Sequence, residues 1–139
     1  MKGFTLLEVL VVLAIGAVLL FFVLSWGISF YNSQQIDSEA EQIVQVLRKA
    51  QFSSMSSDSD SAFGVYFDAG QYVFFRGDSY ASRDYEEVFL TNVSFSGDVS
   101  ETVFSKLQGI PSNIGNVAVS LGGKTRTINI NSAGRINNN

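Results

Sequence analysis

The chain has 139 residues, a formal charge of −4, a single Pro, and neither His nor Cys. The missing residue types exclude a disulfide framework and remove the usual nucleophile–base pairs and most zinc sites. The hydrophobic fraction of 46%, with twelve Phe and five Tyr, still supplies a core, although much of it is concentrated at the N-terminus.

The first element follows Met1-Lys2-Gly3 and is apolar from Phe4 to Leu24, apart from Thr5, Glu8 and Gly16. Its length is that of a membrane-spanning helix, which needs about 20 apolar residues. Glu8 is out of place there, because an ionisable group at mid-membrane costs about 2.5–3.5 kcal/mol on insertion scales, and less near the interface. Residues 4–24 contain no Lys, Arg or His, so a partner for Glu8 must come from outside this helix. That requirement points to assembly. An ordinary anchor has no use for Glu8, and the run is too long for the apolar core of a secretory signal, with Ser25-Trp26-Gly27 only a weak cleavage site. Lys2 and the amino terminus favour a cytoplasmic N-terminus and an exported remainder.

Helical periodicity continues beyond the span. Ile36, Ala40, Ile43, Val44, Leu47 and Ala50 form one apolar stripe, with Glu39, Glu41, Gln42, Gln45, Arg48 and Lys49 on the other faces. The serine- and aspartate-rich stretch Ser53–Ser61 ends the helix, since these side chains compete for their own backbone. Strands are expected at Ala62–Phe67 and Gln71–Arg76, joined by a three-residue loop Asp68-Ala69-Gly70. Further strands are expected at Glu87–Thr91, Val93–Phe95 and Glu101–Lys106, with Asp78–Glu87 a surface loop. Asn116–Leu121 and Lys124–Ile130 flank Gly122-Gly123, a two-residue turn signal.

The N-terminal sequence Gly3-Phe4-Thr5-Leu6-Leu7-Glu8, followed by Val9–Gly16, closely resembles the N-terminus of type IV pilins and the pseudopilins of type II secretion. The resemblance implies cleavage between Gly3 and Phe4 by a prepilin peptidase, N-methylation of Phe4, and an assembly role for Glu8. It implies an α+β chain of the pilin fold, in which one long helix packs on a small, mainly antiparallel β-domain. On that pattern residues 1–3 are the leader, 4–30 the transmembrane and assembly helix, 31–56 its amphipathic half, and 57–139 the exported β-rich domain. The implied partners are prepilin peptidase, other pilins or pseudopilins in a helical filament, an inner-membrane assembly platform, and membrane lipid before assembly. The implied location is the bacterial cytoplasmic membrane and then a periplasmic or extracellular filament. Two departures stand out: the family's helix-kinking Pro is replaced by Ser25-Trp26-Gly27, and Gly16 lies one residue earlier than usual. Three later stretches are similar to the H-type branch of minor pseudopilins and minor pilins. They are Leu47-Arg48-Lys49-Ala50, Phe104–Gly109, and the closing Thr127–Ile136 with its Gly134-Arg135 pair.

Nothing in the chain meets the nucleophile, base and oxyanion roles of a catalytic site, so no enzyme activity, cofactor or metal is expected. Asp58-Ser59-Asp60 lacks the glycine and terminal Glu of a calcium loop, and the pair Glu86-Glu87 reads as solvated surface. Charge is unevenly spread: residues 31–105 carry −8, whereas 106–139 carry +4 from Lys106, Lys124, Arg126 and Arg135 with no acid. These four cations serve subunit contacts or, in the alternative reading, a filament-tip module contacting DNA or a surface. Without clustered aromatics the subunit role is favoured.

Overall fold

The computed structural model describes the backbone of residues 5–56 and 60–138, with side chains in those ranges except 24–29. Among the described residues one α-helix, α1 (Leu6–Met55), contains 50 residues, about 75 Å at 1.5 Å per residue. Gly16 and Gly27 both lie within it, so the glycines do not interrupt the helix where Pro is missing. The serines end it as expected. Ser54 Oγ donates to the Gln51 carbonyl at 2.7 Å, and Ser56 N–H closes the last turn on Phe52 O at 2.8 Å.

Eight strands follow: β1 (Phe63–Asp68), β2 (Gln71–Arg76), β3 (Tyr85–Leu90), β4 (Ser94–Gly97), β5 (Glu101–Phe104), β6 (Gly115–Leu121), β7 (Lys124–Ile130) and β8 (Ile136–Asn138). They form two four-stranded sheets, ordered β3-β2-β1-β5 and β4-β6-β7-β8, with every pairing antiparallel. The architecture is α+β and consistent with the pilin fold. Several expectations need correction. The β1–β2 connection has two residues, Ala69 and Gly70, because Asp68 already pairs with Gln71, and Gly70 supplies the positive φ of +76°. β3 starts at Tyr85, so Glu86 and Glu87 belong to a strand rather than a loop. β5 stops at Phe104, and Ser105 and Lys106 lie outside it. After the turn at Gly134 the chain returns as β8, which the sequence pattern did not reveal.

Both sheets pack on the second half of α1. The expected stripe is buried throughout, and Val46 joins it. Ile36, Ile43 and Leu47 meet Val65, Phe67, Tyr72, Phe74 and Phe104 of the first sheet. They also meet Val117, Val119, Ile128, Ile130 and Ile136 of the second, in one continuous core. Each such side chain contributes about 1.5–3 kcal/mol when fully removed from water. On the far face of the first sheet the segment 77–84 folds back. There Tyr80 stacks on Tyr66 at 4.2 Å and covers Phe75, giving a second, smaller apolar cluster with Ala62 and Val103. Arg76–Asp84 and Arg83–Glu86 ion pairs, at 2.7 and 2.6 Å, pin that segment.

Candidate assembly segment

Thr5 begins the helix as its N-cap. Its extended backbone (φ −79°, ψ 148°) turns the carbonyl toward Glu8 N–H at 3.0 Å and Val9 N–H at 3.3 Å, and its hydroxyl also accepts from Glu8 N–H at 3.4 Å. Glu8 therefore sits in the first turn, where a carboxylate is favoured by the helix dipole. From Leu6 to Val23 the helix has a mean hydropathy of 3.0, and none of its residues is buried. This stretch is long and apolar enough to cross a membrane, at about 27 Å against a hydrocarbon core of about 30 Å. The β-domain leaves it uncovered: among the described residues, the first buried one is Ile36. Between Thr5 and Leu47 the chain has no Lys or Arg, so the helix that carries Glu8 offers its carboxylate no basic side chain until Arg48, and Lys2 precedes the helix.

Residues 1–24 match the prokaryotic N-terminal methylation motif. The N-terminus is prepilin-like. No curated protein and no solved structure matches the chain. The match takes in Gly3, Phe4 and Glu8, and its described part includes the apolar helix stretch Leu6–Val23, in which no residue is buried. Gly3 and Phe4 themselves lie outside the described residues, as do Asp58 and Ser59 of the sequence Asp58-Ser59-Asp60. Among the described residues there is no group of three or more acidic side chains placed to hold a metal ion.

The four C-terminal cations are not gathered on one face of the domain. Arg126 Nε donates to Asp37 Oδ1 at 2.5 Å, and that hydrogen bond holds the guanidinium above its ordinary range. Lys124 belongs to the same end, because the adjoining turn at Gly122 lies against Asn32 of α1. Lys106 instead pairs with Asp60 at the other end of the domain, beside Leu107, whose N–H donates to Ser54 O at 2.9 Å. Arg135 is exposed next to Gly134, whose carbonyl accepts from Gln51 Nε2 at 2.9 Å. Asp37 and Gln51 are 14 residues apart on one helix, about 21 Å. Two of the four cations are thus engaged within the chain, and the set is split between the two ends of the domain. The acids Glu86 and Glu87 are likewise engaged, with Arg83 and Lys49.

Proposed function

We propose that the protein is a structural subunit of a type IV pilus-like filament, a minor pilin or pseudopilin of the H-type branch. In this reading prepilin peptidase removes residues 1–3 and Phe4 becomes the methylated terminus. Residues 4–30 form the membrane and assembly helix, 31–56 the helix half that carries the domain, and 57–139 the exported domain. Glu8 pairs with the Phe4 amine of a neighbouring subunit, so two groups that are costly alone in an apolar core become a charge-assisted pair that sets subunit register. The supporting observation is the bare apolar helix Leu6–Val23 under a methylation motif, held by no contact with its own domain. An exposed apolar surface of that size requires lipid or neighbouring helices to cover it.

Intact-mass and N-terminal peptide spectrometry on membrane fractions tests the reading. In cells with an active prepilin peptidase, the chain should lose Met1–Gly3 and gain one methyl group at Phe4. A bulky residue in place of Gly3 should leave the uncut form in the membrane. A terminus at Met1, or one near Gly27, in the same cells would overturn it.

A further inference from the structure

β3 and β8 are outer strands of their sheets, and they lie on opposite flanks of α1. Lys49 Nζ reaches Glu87 Oε2 of β3 at 2.6 Å, while the adjacent Arg48 Nη2 reaches the Ile136 carbonyl of β8 at 3.5 Å. Exposed Gln45 forms the ridge between the two and lines an open groove on each side. Both strands turn backbone groups away from their sheets, and the Ile136 carbonyl, though it accepts from Arg48 at 3.5 Å, keeps a second lone pair. Thr91 N–H donates to Gly70 O at 3.0 Å, so the alternation of an antiparallel ladder turns the amides and carbonyls of Glu86, Val88 and Leu90 to the free side of β3. Asn131 N–H donates to Arg135 O at 3.1 Å, so by the same alternation Asn137 faces β7 while Ile136 and Asn138 turn outward.

The opposite edge of the first sheet is closed. Ser112 N–H donates to Val103 O at 2.7 Å, and Val103 N–H donates to Ser112 Oγ at 3.1 Å. β3 has no such cover along its six residues, and Val88 and Leu90 are 48% and 83% exposed. Exposed edges are normally blunted by Lys, Pro or a bulge. β3 has neither Lys nor Pro, and its two acids are already paired with Arg83 and Lys49. The flank of β8 carries Arg135, and no acid occurs from residue 106 onward.

We infer that β3 of one copy pairs with β8 of a second copy, joining the sheets edge to edge from subunit to subunit. The inference rests on the filament reading and specifies its lateral contact. Charge complements across the joint at the scale of the two halves, since residues 31–105, which supply β3, carry −8 and residues 106–139, which supply β8, carry +4, while Glu86 and Glu87 themselves are answered by Arg83 and Lys49. Direction also agrees. Glu87 lies by Lys49 and Thr91 by Glu39, so β3 runs back toward the N-terminal end of α1. Gly134 lies by Gln51 and Asn138 shares a groove with Glu41, so β8 runs the same way. Copies that point in one direction therefore pair these strands in parallel. Because β3 and β8 are different surfaces, the contact propagates instead of closing on itself.

The absence of Cys makes the joint directly testable. Full-length Val88→Cys/Asn137→Cys and Leu90→Cys/Asn137→Cys chains, expressed with the processing and assembly machinery, are oxidised in sheared filaments and run without reductant. Disulfides form only between Cα atoms within about 7 Å. At least one double variant should give a ladder beyond dimers, and each single variant should give none. Filaments that contain the chain but show no ladder overturn the edge pairing and leave the filament reading standing. Bonding only to a different protein, through an added cysteine elsewhere, overturns the choice of a second copy. A chain absent from filaments overturns both readings. Val88→Pro offers a second arm, since it removes an outward N–H and spares the β2–β3 bonds. It should cause loss of most of the chain from filaments while the domain stays protease-resistant; unchanged incorporation overturns the pairing. If Val88→Pro renders the domain protease-sensitive, the cysteine ladder alone decides.

Discussion

At Glu8 the costs of insertion and of assembly have opposite signs, so one substitution separates them. Glu8→Leu removes the charged group from the span and should ease membrane insertion. In the proposed filament it leaves the Phe4 amine of a neighbour without its counter-charge, a penalty of about 3–5 kcal/mol for a broken buried pair. The variant should accumulate as a processed, membrane-embedded monomer, and Glu8→Asp should be intermediate. Shearing filaments and weighing the chain in shaft and membrane fractions checks this; wild-type amounts of Glu8→Leu in the shaft would sink the pairing. Asp84 offers a test in the β-domain. Its hydrogen bond from Arg76 Nε holds the carboxyl below the ordinary carboxylate range. A lowered folded pKa contributes stability that is complete above the unfolded value, about 4, and is lost as pH falls through the folded one. Hydrogen exchange of residues 77–84 should therefore accelerate as pH drops below about 4, after correction for intrinsic rates. Asp84→Asn should start less protected and respond less; superimposable profiles would refute the assignment.

Among the elements, the end of α1 is fastened to both sheets by one side chain. Gln51 Nε2 donates to the carbonyls of Gly109, in the turn after β5 of the first sheet, and Gly134, before β8 of the second, at 3.1 and 2.9 Å. Gly134 has φ +73°, and a Cβ there would lie 2.3 Å from Gln51 Nε2, so the turn and the glutamine fit only together. Gln51→Ala leaves two buried carbonyls without that donor and should cost about 1–3 kcal/mol, read as a lowered thermal midpoint of the purified chain in detergent. Gln51→Glu should be worse, since it sets a carboxylate against two carbonyl oxygens. These contacts mark where the sequence stops being informative. The stripe from Ile36 to Ala50 was legible because helical period is a local signal. The three residues of β8 carry no alternation, and the acids of β3 disguise a strand because Lys49, 38 positions away, answers Glu87. The N-terminal motif was readable because it is contiguous. The fates of Lys106 and Arg126 were not, since Arg126 meets Asp37 across 89 residues of chain.

For the molecule as a whole, the core and the apolar helix are separable. Every buried side chain among the described residues lies at or beyond Ile36. Residues 31–139 should therefore fold without the span, with the protease resistance and unfolding midpoint of the full chain within about 0.5 kcal/mol, as for surface changes that touch no core. A molten or aggregated product would show that the span contributes to the fold. The same fragment should bind duplex DNA weakly at physiological salt, because its four late cations are divided between the ends of the domain and two of them are paired. Submicromolar binding with a steep salt slope, abolished by neutralising Lys106, Lys124, Arg126 and Arg135, would instead establish the DNA-contacting alternative.

The β6–β7 turn reaches down α1 only as far as Asn32, whereas the apolar span ends at Val23. Those nine residues amount to about 13 Å of helix. Headgroups fill about 6 Å of it, since they account for the difference between the whole bilayer and its hydrocarbon. The clearance that remains, about 7 Å, is close to the Debye length of physiological saline, about 8 Å. In the proposed reading, the domain of an unassembled subunit would therefore stand on a helical stem above a layer of water rather than rest on lipid. Because α1 runs unbroken from span to domain, the domain would turn with the span, and rotation of that one helix in the bilayer would let an incoming subunit be met at any bearing.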